Sequence, residues 1–213
     1  MTAARLVYPD SDGELLADNT EHFTFIMTVQ GNLDALRTDF VAGDHLWYPV
    51  EGHPEIRVAP DVYVAQGRPK GRRGSYKQWE EGGTPLTVVF EWWSPNSTFP
   101  KEVAKLRFYE KYGVAEFYAW DEVRRIFTAY VRTGGELAPV DVTEGFTSPI
   151  LGIRMVVERD ELVLYRPDGQ RFRTFAELST ERDAAAAERD AAVARANALA
   201  EKLRALGIDP DAD

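Results

Sequence analysis

Two periods of apolar residues run along this chain, and where one gives way to the other the predicted elements begin and end. EHFTFIMTVQGNLDALRTDF (21–40) repeats at helical spacing, with Phe23, Ile26, Met27, Gln30 and Leu33 on one largely apolar face, and predicts a helix capped by Asn19 or Thr20. The β-branched and aromatic runs HLWYPV (45–50), APDVYVAQ (59–66) and TVVFEWW (87–93) predict strands. FPKEVAKLRFYEKYG (99–113) predicts a second helix, with Pro100 in its first turn and Gly113 past its end. AEFYAWD (115–121) and RIFTAYVR (125–132) predict strands on either side of a turn at Asp121–Glu122. ILGIRMVVERDELVLYRPDGQRF (150–172) predicts two more strands and a Pro-Asp-Gly turn. The order helix, strands, helix, strands predicts an α/β (α+β) fold with a mixed central β-sheet flanked by helices.

The pattern changes at Ser179. Aromatic residues cease, and a seven-residue repeat takes over: ERDAAAA, ERDAAVA, RANALAE, KLRALGI. Leu178, Ala185, Ala192, Leu199 and Leu206 form one column; Arg182, Arg189, Ala196 and Leu203 form a second. The columns alternate by four and three residues, the spacing of a coiled-coil seam, although the first half holds arginines and alanines. The expected organisation is a domain over 1–178 and a C-terminal helix over 179–213 with a disordered end. That helix is either solvated alone or pairs with a second copy as a short coiled coil.

Composition narrows the class. The 213 residues are 44% hydrophobic, enough for one sizeable core. The net charge of -10 argues against a protein that coats nucleic acid by bulk electrostatics, while leaving room for a local basic groove. Without cysteine there are neither disulfides nor thiolate zinc sites, and the three histidines are scattered. No run reaches the length of a signal peptide or a membrane span, which predicts a cytoplasmic protein without membrane attachment.

Glu91 poses a chemical question, because it ends an otherwise apolar strand. A buried carboxylate needs a cation, a metal or a proton. Asp61 opens the preceding strand after Pro60, and Lys105 lies in the following helix. Two strand-borne carboxylates with a lysine nearby suit metal-dependent phosphodiester hydrolysis: the carboxylates hold a hard divalent ion, and the ammonium offsets transition-state charge. Lys101, Lys105 and Tyr109 share a helical face, which brings Lys101 and Tyr109 to the periphery of such a site. The same residues also fit plainer roles: Asp61 as a strand cap, Glu91 and Lys105 as a buried ion pair, Lys105 as a surface lysine. GRPKGRRGSYKQW supplies Arg68, Lys70, Arg72, Arg73 and Lys77 as a candidate nucleic-acid-binding loop, or as a solvated loop balanced by Glu80 and Glu81.

Pro60-Asp61, Glu91 with Ser94-Pro95 beyond it, Lys105 four residues before Tyr109, Gly113-Val114 and Asp121 together resemble the bacterial Uma-type family of restriction-endonuclease-like proteins, within the PD-(D/E)xK nuclease superfamily. The likeness spans nearly all of residues 1–178. It implies a restriction-endonuclease-like fold and a homodimeric endonuclease. Asp61 and Glu91 would bind Mg²⁺ (or Mn²⁺), and Lys105 would complete the catalytic set. DNA is the implied partner, with RNA left open. The superfamily usually carries its lysine two residues after the Glu, where this chain has Trp93, so the resemblance implies a lysine moved to the helix. An acidic residue on the first helix often joins such sites, which makes Glu21 a candidate, with His22 beside it. Trp93 equally motivates a non-enzymatic alternative, a nuclease-fold module that binds nucleic acid or acts as a scaffold.

Overall fold

Asn19 starts the first helix, its side chain accepting the backbone N–H of His22. Helix α1 (Thr20–Leu36) ends four residues before the expected Phe40, because the chain turns extended at Arg37 and enters strand β1 (Asp39–Gly43). The buried face of α1 also departs from expectation: His22, Ile26, Val29 and Leu33 face the core, while Phe23 and Met27 are exposed. Both faces contain Ile26 and Leu33, so periodicity alone leaves the rotation of the helix open, and packing on the sheet decides it.

Residues 6–11, 13 and 16–206 are described in this computed structural model. The chain divides into two compact units, 1–172 and 173–213. After β1 come β2 (Trp47–Tyr48), β3 (Val62–Pro69), β4 (Tyr76–Lys77), β5 (Val88–Trp93), helix α2 (Phe99–Lys111), β6 (Glu116–Asp121), β7 (Ile126–Thr133) and β8 (Glu136–Pro139). A mixed six-stranded sheet has the order β1-β3-β5-β6-β7-β8. β5 and β6 run parallel and are joined by α2, while the other neighbours are antiparallel. β5 and β6 are almost wholly buried, as their continuous apolar runs require of strands covered on both faces. Gly113, at φ +98, turns the chain from α2 towards β6.

The core lies on both faces of the sheet. Ile26, Val29 and Leu33 of α1 pack with Val62, Phe90 and Trp120 on one face. Tyr109 of α2 packs with Trp47, Tyr63, Val89 and Phe117 on the other. Each of these large side chains contributes about 1.5–3 kcal/mol by burial. A small sheet of β9 (Phe146–Thr147), β10 (Arg154–Glu158) and β11 (Glu161–Tyr165) follows. Its hairpin turns at Arg159 and Asp160, both with left-handed φ (51° and 62°).

In the second unit, helix α3 (Phe175–Ala205) begins four residues before Ser179 with a capping box between Thr174 and Glu177. None of its residues is buried, and in the seam Arg182 pairs with Asp183 and Arg189 with Asp190. The end expected to be disordered, after Leu206, lies outside the described residues. Among the described residues no helix is long and apolar enough to cross a membrane.

Glu116, at the start of β6, is fully buried and accepts from the Tyr118 hydroxyl (2.7 Å), the Ser148 hydroxyl and the Ile150 N–H (3.0 Å). It therefore fastens the 148–151 turn to the central sheet. Glu116→Ala leaves three donors without their acceptor and costs about 3 kcal/mol or more, read by urea unfolding. Glu116→Gln, which keeps one acceptor oxygen, loses less.

Candidate active site

Strand register brings the two carboxylates together. Val62 of β3 pairs with Phe90 of β5 in antiparallel register, so Asp61, one residue before, falls opposite Glu91, one residue after. The backbone N–H of Trp92 donates to Asp61 Oδ2 at 2.6 Å and locks this alignment. Gly43 of neighbouring β1 makes the close approach possible: a Cβ there would meet the Asp61 carbonyl oxygen at 2.9 Å and Ile26 at 3.0 Å.

Glu91 is 1% exposed, and both its oxygens are engaged. Lys105 Nζ donates to Oε2 at 2.7 Å, and the Tyr109 hydroxyl donates to Oε1. These donors lie four residues apart on α2, which sets that helix face against β5. Burial pushes the Glu91 carboxyl up to about 7; the charge of Asp61 adds to the rise, and Lys105 and Tyr109 oppose it. Burial alone would lower the Lys105 ammonium, but Glu91 and Asp61 outweigh it and hold it above its ordinary value. Lys105 thus stays a cation at neutral pH, with about a third of its side chain (32%) open to the cavity. Burial and Glu91 both hold the Tyr109 phenol well above its ordinary range, so it acts as a donor and not as a base.

His22, not Glu21, joins the carboxylates. Its Nε2 stands 3.1 Å from Asp61 Oδ1 but is aligned too poorly for a well-formed hydrogen bond. Its Nδ1 accepts the Asp18 N–H at 3.3 Å, which assigns the ring proton to Nε2. Burial disfavours the charged ring, yet Asp61, with Asp18 and Glu91, outweighs burial and raises the His22 pKa. Glu21 instead turns outward, with Arg125 at 4.0 Å.

Asp61, Glu91, His22, Lys101 and Lys105 line one open cavity of about 480 Å³. It also takes in Asp18, Asp44 and Glu102, which sequence reasoning missed. Asp44 sits at φ +45, with its N–H shared between the Pro60 and Asp61 carbonyls, and its charge helps hold Lys105 protonated. Ser94 shows why a serine follows the glutamate: its buried hydroxyl donates to the Asp18 carboxylate beside His22. The tryptophans divide the two faces. Trp92 packs in the α1 core and donates to Glu122, while Trp93 lines the cavity with Lys105 Nζ 5.7 Å from its ring centre.

The basic loop is largely paired with acids. Arg68 and Arg73 both hold Glu81, at 3.0 and 2.6 Å; Lys70 holds Asp34 at 2.9 Å, and Lys77 reaches Glu80 at 3.4 Å. Arg72 is exposed.

The donor set fits a hard, oxygen-liking divalent ion. Two carboxylates face each other at one cavity wall, and burial, with the charge of Asp61, pushes the Glu91 carboxyl up to about 7. No cluster of three or more His, Cys, Asp or Glu suited to a metal occurs among the described residues. Two carboxylates with the remaining positions left to water and phosphate is how Mg²⁺ is commonly held.

The family model Uma2, described as "Putative restriction endonuclease", matches residues 5–158, well over half of the chain. Among solved structures the chain is similar to "a putative nuclease belonging to DUF820" from Anabaena variabilis ATCC 29413, at 11% identity, covering 63% of this chain and 75% of that one with a TM-score of 0.45. No curated protein matches the chain.

Between its ordinary 4.5 and about 7 the folded chain keeps the Glu91 proton that the unfolded chain has lost, so this group's contribution to stability falls as pH rises. Removing Lys105 raises the Glu91 pKa further and leaves a buried charge uncompensated. In EDTA, Lys105→Ala is therefore about 3 kcal/mol less stable than the unsubstituted chain above pH 8, the partial exposure of Lys105 keeping this at the low end for a broken buried pair. The deficit shrinks as pH falls towards 5, checked by denaturant titration across pH.

Proposed function

The chain belongs to the Uma2 family, and from that premise we propose that it is a metal-dependent endonuclease that hydrolyses DNA phosphodiester bonds. The observation that carries the reading is the opposition of Asp61 and Glu91 across β3 and β5, beside the ammonium of Lys105. Asp61 and Glu91 would hold Mg²⁺ or Mn²⁺. Such an ion, when bound, polarises a phosphoryl oxygen and acidifies water.

The chain's own groups do the rest. Lys105 remains protonated and so offers positive charge to a phosphoryl oxygen rather than taking a proton from water. While it rests on Glu91, it compensates a carboxylate that burial would otherwise keep protonated. His22 Nε2 stands beside Asp61 Oδ1 while the Trp92 N–H donates to Oδ2, so each oxygen of the carboxylate faces a protein group. Lys101, one turn before Lys105, faces the same cavity and suits a neighbouring phosphate. We place this activity in the cytoplasm and in a homodimer formed by the globular unit. What supports the latter is that the first half of the α3 seam carries Arg182 and Arg189, each paired with its neighbouring Asp, where a coiled coil calls for apolar residues.

One observation favours a second reading, a nuclease-fold module that binds nucleic acid or serves as a scaffold. All four carboxylate oxygens of Asp61 and Glu91 already face protein groups: Trp92 N–H, His22, Lys105 and Tyr109.

With plasmid or single-stranded DNA and Mg²⁺ or Mn²⁺, the protein should cleave, and Asp61→Ala should lose at least about 100-fold in rate, an interaction of roughly 3 kcal/mol in the transition state. Calorimetric titration should show divalent-ion binding in the original chain and none in Asp61→Ala. Absence of both cleavage and ion binding at millimolar metal leaves the scaffold reading. A chain lacking residues 179–213 should keep a dimer's mass in light scattering; a fall to monomer mass assigns dimerisation to α3.

A further inference from the structure

The Trp93 ring divides two cavities. On one side lies the polar cavity of Glu91 and Lys105; on the other lies an apolar groove of about 290 Å³ between α2 and the outer face of β6 and β7. Phe99, Leu106, Phe117, Ile126 and Tyr130 line the groove with Trp93. Phe99 and Ile126 keep 68% and 48% of their surface exposed. The Trp93 and Phe117 ring centres lie 6.3 Å apart, tilted to each other. Trp93 and Glu102 belong to both cavities, so a chain lying across Trp93 enters one as it leaves the other.

We propose that this groove receives an unpaired base of single-stranded DNA next to a phosphate held by Lys101 and Lys105. The inference rests on the nuclease reading above and specifies its substrate. Two observations carry it, in addition to the continuity of the cavities. The groove offers aromatic and aliphatic surface to a base, and stacking of that kind needs no particular sequence. A duplex, by contrast, would have to be held by cations along its phosphates. Of the five basic residues of the 68–77 loop, four are engaged by Glu81, Asp34 and Glu80, in a chain of net charge -10. A base inside a duplex cannot reach the groove without leaving its stack, which costs a few kcal/mol.

Fluorescence anisotropy in EDTA tests this apart from cleavage, using the full chain, a labelled DNA oligonucleotide, its perfect duplex and the RNA of the same sequence. The single-stranded DNA should bind at least about tenfold more tightly than the duplex. Trp93→Ala and Phe99→Ala should each weaken single-strand binding at least about fivefold, the low end for one lost stack. Trp93→Phe should restore most of the Trp93→Ala loss. Should Trp93→Ala fail to fold, the exposed Phe99 carries the test. Duplex or RNA bound as tightly as single-stranded DNA, or alanine variants that bind as well as the original chain, overturns the proposal. Asp61-dependent cleavage together with unaffected variants removes the base groove and keeps the nuclease. Trp93-dependent single-strand binding without any cleavage removes the nuclease and keeps the groove.

Discussion

A carboxylate out of reach of water, Glu91, is the constraint around which the site is arranged. An isolated charge at that depth would cost several kcal/mol, and the chain answers with an ammonium on one oxygen and a phenol on the other. Both donors come from a single helix, so compensation of the charge also fixes how α2 lies on the sheet. Burial, with the charge of Asp61, still outweighs both donors and pushes the Glu91 carboxyl up to about 7. A group held between its two protonation states is readily recruited by a cation, and Asp61, with its own negative charge, lies opposite it across the strand pair.

Asp61 is held from three directions by separate parts of the chain. The Trp92 N–H comes from β5, His22 from α1, and the close approach of β1 depends on Gly43 having no side chain. Behind His22 stand Asp18 and then Ser94, which returns the chain of contacts to the strand that carries Glu91. The Ser-Pro that follows the glutamate thus has a physical task some distance from the chemistry: through Asp18 it helps place the imidazole beside the carboxylate.

Much of this was legible in the sequence. The runs that became β3, β5, α2 and β6 were continuous and punctuated by proline or glycine, with Asp61 just before β3, Glu91 within β5 and Lys105 midway along α2. Short elements were not legible. β4 and β9 have two residues each and carry no period, and the first two residues of β1, Asp39 and Phe40, read as the end of a helix. The rotation of α1 was hidden because Ile26 and Leu33 belong to either face, and with it went the choice of His22 over Glu21. Asp44 meets Pro60 and Asp61, and Asp18 meets Ser94, through contacts long in sequence, for which a single chain gives no signal. The basic loop reads either as a phosphate grip or as a loop balanced by Glu80 and Glu81, and folding adds Asp34 of α1 to these acidic partners.

The spacing of the site along the chain has a consequence for its birth. Asp18 and His22, Asp44, Asp61, Glu91 and Lys105 come from successive elements, and no two neighbouring elements hold a complete set. Strand β5, which bears Glu91, is an interior strand and needs β6 on its far side before it is covered. As a polypeptide emerges from the ribosome in order, the carboxylates therefore lack their alignment until residues up to about Asp121 have been made and docked. A truncated product ending earlier would carry the acidic residues of the cavity without the geometry to use them.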